Sequence, residues 1–276
     1  WLGLSSDDGI RRWLDDVLVI ENWKKGSTNM VITPKKIEVG KTYKVRIEMW
    51  EGGWGARAHL RWNLEKVNFQ PAIDLAKKAD VAIVVLGESR ELVEENRDVA
   101  TLDLYGMQQE LIEAIKQTGT PVVCVLLNGR PLSINWINDN IPAIVEAWFP
   151  GEAGGKAVAD VLFGNYNPAG RLPITFPKSV GQLPIYYNQK PSTIHRYVSE
   201  SENPLYTFGY GLSYTTFKYS NLALNTKEIK PNGKVKVSVD VKNIGNYDGD
   251  EVVQLYINDV YSSVTTPLKT LKGFKR

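Results

Sequence analysis

Three short apolar runs constrain this chain more than any other feature in it: VAIVVL at 81–86, VVCVLL at 122–127 and AIVEAW at 143–148. Each is too short for a core helix, and each is bounded by glycine, proline or polar residues, as a buried strand is. Between them the apolar residues change period. Met107, Leu111, Ala114 and Ile115 fall on one helical face, which predicts a helix over about 106–117. Residues 71–78 predict a short helix with Pro71 suited to its first turn, 132–138 another, and 151–163 a further helix with a glycine-rich start. Strand and helix alternating in this rhythm specify a mainly parallel sheet with helices on both faces.

The flanks read differently. Residues 1–64 are strand-rich: Tyr43, Val45, Ile47 and Met49 alternate as in a half-buried strand, and 13–20 reads as two short strands about the Asp15-Asp16 turn. After Phe217, Val235, Val237, Val239 and Val241 alternate, 251–257 forms another strand, and 270–274 starts one more. The chain is therefore multi-domain: a β-sandwich or half of one at 1–64, an α/β sandwich at 65–216, and part of a second β-sandwich at 217–276. Neither end carries a start or stop signal of its own, so the sequence reads as part of a larger protein.

Charge excludes several functions. A net charge of +2 supplies no basic field for nucleic acid. The apolar runs are far too short to span a bilayer as helices. The single cysteine, Cys124, lies inside a strand run and reads as a core residue. His59 and His195 have no metal-ligand pattern around them, so no metal is expected. A phosphate site at 150–156 (PGEAGGK) is disfavoured: the spacing is not that of a Walker loop, Ala157 stands where Ser or Thr would hold magnesium, and G-x-G-x-x-G is not met.

The stretch richest in chemistry is 87–98, GESRELVEENRD, at the C-terminal end of the first strand, where open α/β sheets place ligand sites. Glu88, Glu91, Glu94 and Glu95 crowd Arg90 and Arg97 there. Two readings stand side by side: a solvated charged loop, or a loop that aims one carboxyl at a bond held elsewhere.

Collinear motifs favour the second. They are Leu102-Asp103-Leu104, Leu127-Asn128-Gly129-Arg130-Pro131-Leu132, Ala147-Trp148-Phe149-Pro150-Gly151-Glu152, Asn167-Pro168-Ala169-Gly170-Arg171-Leu172-Pro173 and Phe208-Gly209-Tyr210-Gly211-Leu212-Ser213. Over about 150 residues they resemble the second, α/β-sandwich domain of family 3 glycoside hydrolases, bacterial β-glucosidases above all. One departure is Tyr105-Gly106, where members carry Leu-Pro-Gly. Residues 6–16 and 39–43 resemble the later half of a PA14 domain, and 217–276 resembles part of a fibronectin type III-like domain. Asp7 and Asp8 read as turn formers rather than calcium ligands.

The resemblance implies a retaining exo-β-glycosidase that uses two carboxyl groups about 5–5.5 Å apart. It places the aspartate nucleophile on a (β/α)₈ barrel, to which no part of this chain is similar, and the general acid/base on the 87–98 loop. Counting from Gly87-Glu88-Ser89 and back from Leu102-Asp103-Leu104 lands on Glu95, with Glu94 one step away as runner-up. Trp50, Trp54 and Arg97 are weaker candidates for substrate contact, and Arg196-Tyr197 for a loop near a domain junction. The implied substrate is a β-glycoside or oligosaccharide, with β-xylosidase as the nearest alternative activity. The implied partner is a barrel on the rest of the protein or on another chain. No cofactor is expected, and homo-oligomerisation is left open. A periplasmic or secreted location is favoured over the cytoplasm. A non-catalytic carbohydrate-binding assembly is the rival from outside the class.

Overall fold

The computed structural model describes residues 2–26, 28–33, 38, 40–53, 56–62, 67–191 and 197–276. Trp54, His195 and Arg196 lie outside the described residues, as does the side chain of Glu91. The chain divides into two compact units, residues 1–70 and 71–276.

Among its described residues the first unit holds six strands: β1 (Leu2–Ser6), β2 (Ile10–Leu14), β3 (Val17–Asn22), β4 (Thr28–Thr33), β5 (Val45–Met49) and β6 (Ala58–Trp62). They form two antiparallel three-stranded sheets, β4-β1-β6 and β3-β2-β5. Leu4, Ile10 and Ile20 pack together as its core, with Leu60 against them. Asp15 and Asp16 turn the β2–β3 hairpin with φ of 50° and 63°. Two positive φ values in a two-residue loop are the geometry that follows strand twist. Asp8 is buried and ties two loops together: its Oδ1 accepts the Gly26 N–H at 2.6 Å and its Oδ2 the Gly52 N–H at 2.7 Å. Those two bonds hold its carboxyl below the usual aspartate value. Asp8 thus shapes the backbone, as the sequence suggested.

The alternation in β5 has a different outcome from the expected one. Val45, Ile47 and Met49 are 42, 37 and 40% exposed. β5 is an edge strand, bonded only to β2 among the described strands, and this face of it stays open.

In the second unit, α1 (Gln70–Ala76) leads into β7 (Ala82–Gly87). Then follow α2 (Gln108–Lys116), β8 (Val122–Leu127), α3 (Asn135–Asn140), β9 (Ala143–Glu146) and α4 (Gly154–Leu162). β7, β8 and β9 form a parallel sheet in that order, in the register Ala82↔Val122 and Val123↔Ala143. Val84 and Leu86 of β7 and Cys124 and Leu126 of β8 point into one core with Ile112 and Ile115 of α2 and Ile137 of α3. Cys124 is fully enclosed, and burial, with Glu146 as a lesser contributor, pushes its thiol up to about 12. It is an inert packing residue. β7 is an edge strand, so its continuous apolar run is buried on one face only: Ile83 and Val85 are 46 and 55% exposed.

Beyond the sheet, β10 (Phe217–Leu224) pairs with β11 (Val237–Asn243), and β12 (Val253–Ile257) with β13 (Thr270–Lys275), all antiparallel. A polar seam joins these strands to the segment after α4. Arg171 meets Glu251 at 2.6 Å with side chains only 12 and 16% exposed, and Tyr219 donates its hydroxyl to the other Glu251 oxygen at 2.6 Å. Asn167 donates to the Asp248 carbonyl and accepts from Ser213 and Tyr214. Gln254 donates to the Gly209 carbonyl at 3.0 Å. Gly209 has φ of 80°, which strains any other residue, and a Cβ there would also displace Gln254 Oε1, 2.1 Å away. The motifs at 167–173 and 208–213 are therefore the stitching of this seam.

Candidate active site

Glu88, Glu94, Glu95, Asn128, Arg130 and Glu146 lie at or beyond the C-terminal ends of β7, β8 and β9. β7 stops at Gly87, whose φ is 138°. A Cβ there would fall 1.9 Å from the Leu127 carbonyl oxygen of β8. The chain can thus leave the sheet edge tightly only through glycine. Gln108, opening α2, seals this point: its Oε1 accepts the Gly87 N–H at 2.6 Å and its Nε2 donates to the Gly87 carbonyl at 2.8 Å. Gly87→Ala is expected to cost about 2–4 kcal/mol, from forbidden φ and backbone overlap together. Urea unfolding of the chain measures it.

The excursion from Gly87 begins with Glu88. Its side chain is 6% exposed and faces Arg130 at 3.3 Å, while its Oε2 accepts the Gly129 N–H at 3.1 Å. A 3-10 turn follows at Arg90–Leu92. Arg90 and Glu94 then pair at 3.1 Å with the arginine almost fully exposed. Glu95 comes next and is exposed. Among the described residues it makes no ion pair and no side-chain hydrogen bond. Asn96 has φ of 60°, a left-handed conformation that asparagine tolerates better than most residues. The turn at 95–96 therefore presents the Glu95 carboxylate outward. Arg97 is half-buried.

The neighbouring strand ends close in. Asn128 is fully buried just past β8, with its Nδ2 donating to the Arg130 carbonyl at 2.9 Å and to Glu146 at 3.3 Å. Glu146 ends β9, and its Oε1 accepts the Trp148 N–H at 3.0 Å. Trp148 has φ of 53°, rare for so large a residue, and its ring sits edge-on to Phe176 at 5.7 Å. A Cβ on Gly129 would lie 2.8 Å from the Phe149 ring and 3.4 Å from Val93. All three strand ends are thus in contact around Gly129.

Burial pushes the Glu146 carboxyl up to about 7, against the hydrogen bonds from Trp148 and Asn128. Its folded value lies above the ordinary 4.5. The folded state therefore holds a proton that the unfolded chain releases. The stability this gives is intact below about pH 4.5, falls as pH rises to about 7, and is flat above. The loss across that window is on the order of 3 kcal/mol. Glu146→Gln is expected to remove the slope, as urea midpoints at pH 5 and pH 8 will show.

The other sequence candidates lie elsewhere. Trp50 is in the first unit, 41% exposed, with its ring over Gly9 and Gly52. His59 is half-buried on β6. Tyr197 donates its hydroxyl to the Gly181 carbonyl at 2.7 Å. Among the described residues no three His, Cys, Asp or Glu side chains gather as a metal set, and no helix is long and apolar enough to cross a membrane. Sequence reasoning passed over Arg130, Asn128 and Glu146 as individuals. Their signal was position: each stands at or just beyond the C-terminal end of a parallel strand.

This arrangement has known counterparts. The family model described as glycosyl hydrolase family 3 C-terminal domain matches residues 5–214. The chain belongs to that family. A fibronectin type III-like domain model matches residues 251–276. The family 3 chain is 50% identical over 218 residues to a protein named beta-xylosidase from Formosa agariphila, covering 78% of this chain and 30% of that protein. It is 46% identical over 216 residues to a periplasmic beta-glucosidase from Salmonella typhimurium, covering 74% of this chain and 28% of that one. A solved beta-glucosidase from Kluyveromyces marxianus matches 99% of this chain and 36% of its own length, with TM-score 0.74 at 29% identity. The chain thus spans less than a third of the length of these two curated relatives.

Proposed function

We propose that this chain is the accessory part of a retaining, exo-acting β-glycosidase of the β-glucosidase kind. The whole protein hydrolyses terminal, non-reducing β-linked sugars. The part described here supplies the general acid/base, Glu95, and a (β/α)₈ barrel elsewhere in the protein supplies the aspartate nucleophile. The observation carrying this is the loop at 88–97: in a chain related to named β-glycosidases, it leaves the Glu95 carboxylate exposed beyond the C-terminal edge of the parallel sheet. Glu94 is already engaged by Arg90, which favours Glu95 over its neighbour. The acid has room to be enclosed by another module, and it needs that enclosure to hold a proton near neutrality.

β-Xylosidase is the second reading, supported by the 50% identical relative of that name. The complete enzyme, assayed on matched aryl β-glucosides and β-xylosides, separates the two by kcat/KM. The anomeric configuration of the first product, read by NMR, tests retention.

Residues 1–64 we read as part of a PA14 domain. Two antiparallel sheets support this, as does the difference in coverage: the Kluyveromyces enzyme is matched along 99% of the chain, the two curated relatives along 74 and 78%.

A further inference from the structure

Among the described residues, Arg130 is the one side chain that bridges the β8 end to the loop carrying Glu95 at two separate points. Its Nε faces Glu88 Oε1 at 3.3 Å, where the loop begins. Its Nη2 donates to the Leu92 carbonyl at 2.8 Å, three residues before Glu95. The backbone that carries the guanidinium is itself held. The Arg130 carbonyl accepts from the buried amide of Asn128, and Asn128 is bonded in turn to Glu146 of β9. Glu88 is fixed from the other side by the Gly129 N–H and by its own N–H to the Leu127 carbonyl at 2.8 Å. A planar fork can satisfy a carboxylate and a carbonyl at once in one orientation, and an ammonium cannot reproduce this.

We propose that Arg130 is a positioning residue: it fixes the 88–95 turn on the rigid sheet so that the Glu95 carboxyl is delivered in one place. This rests on the reading of Glu95 as the general acid. The loop needs such a strut because, past Glu88, its other polar contacts among the described residues are local and wet. Arg90–Glu94 is a surface pair, and such pairs hold little. A general acid displaced by about 1 Å loses on the order of 10²-fold in rate. Catalysis of poor leaving groups is therefore where slack in the strut appears.

Two measurements test it. In the chain itself, Arg130→Ala is expected to speed amide hydrogen exchange across 88–97 by about tenfold or more, with the β8 amides unchanged and Arg130→Lys in between. In the complete enzyme, Arg130→Ala is expected to lower kcat about 10- to 100-fold on alkyl β-glycosides with KM within about twofold, and to spare kcat/KM on activated aryl glycosides. Arg130→Lys keeps the charge opposite Glu88 and should recover part of the loss. It also gives a folded comparison if the alanine variant is unstable. Unchanged exchange at 88–97 overturns the proposal. So do equal losses on both substrate classes in a background where Glu95→Gln is selective. If Glu95→Gln is itself unselective, the acid assignment falls, and the exchange result alone decides whether Arg130 holds the turn.

Discussion

Glu95→Gln in the complete enzyme is expected to lower kcat/KM by about 10²–10⁴-fold on β-glycosides whose leaving group is a poor anion. On aryl glycosides that depart without a proton, kcat/KM should stay near the parent value. The contrast follows from what the carboxyl does. As the proposed general acid it would donate a proton to the departing oxygen in the first step, and glutamine has none to give. The second half of the cycle needs the same group as a base for water, so turnover of activated substrates slows at that later step and kcat falls where kcat/KM does not. Glu94→Gln is expected to change little on either class, because its exposed pairing with Arg90 contributes little. A series of aryl glycosides graded by leaving-group acidity reads this as a slope of log kcat/KM, steep in the variant and shallow in the parent. Parallel slopes would return Glu95 to the category of solvated surface charge.

The second large effect concerns stability. Arg171→Met removes one partner of the enclosed pair with Glu251, whose other oxygen is taken by the Tyr219 hydroxyl. The carboxylate left behind has too little solvent to compensate it. The expected cost is about 3–5 kcal/mol, or on the order of 10 °C in Tm for a unit of this size. Replacing both partners, Arg171→Met with Glu251→Leu, should recover much of that, since the desolvation of two charges is then avoided. Differential scanning calorimetry of the single and double variants separates the two outcomes. A single variant that melts with the parent would mean the seam is held by Asn167 and Gln254 instead.

Much of the second unit was legible because its signals are local. VVCVLL is a strand by length and composition, and it is one from Val122 to Leu127. The Asp15-Asp16 turn was readable because two short strand-like runs flank it. Burial was less legible, because it depends on neighbours that a local pattern does not name. Val85 and Val125 look alike in sequence, yet Val85 is 55% exposed and Val125 1%, since β7 lies at the sheet edge and β8 at its centre. The alternation in β5 failed for the same reason. At the candidate site, Glu95 could be singled out by motif and chain order alone. Arg130 and Glu146 could not, because their partners stand far off in sequence: Arg130 meets Glu88 and Leu92, and Glu146 meets Asn128. Glu251 and Arg171 lie further apart still, and only the folded seam joins them.

The side chain of Gln108 lies beside Gly87 as a neighbouring strand would, giving and taking one bond each. The path from Glu88 to Met107 therefore departs and returns through a single knot. Inside that circuit the sheet reaches in through Arg130, at Glu88 and Leu92, while Glu95 and Asn96 beyond it are exposed. Lengthening it twofold adds only about 0.6 kcal/mol in closure entropy. Evolution, or an engineer, can thus splice residues into the circuit to reshape what approaches Glu95 and leave the scaffold's assembly untouched.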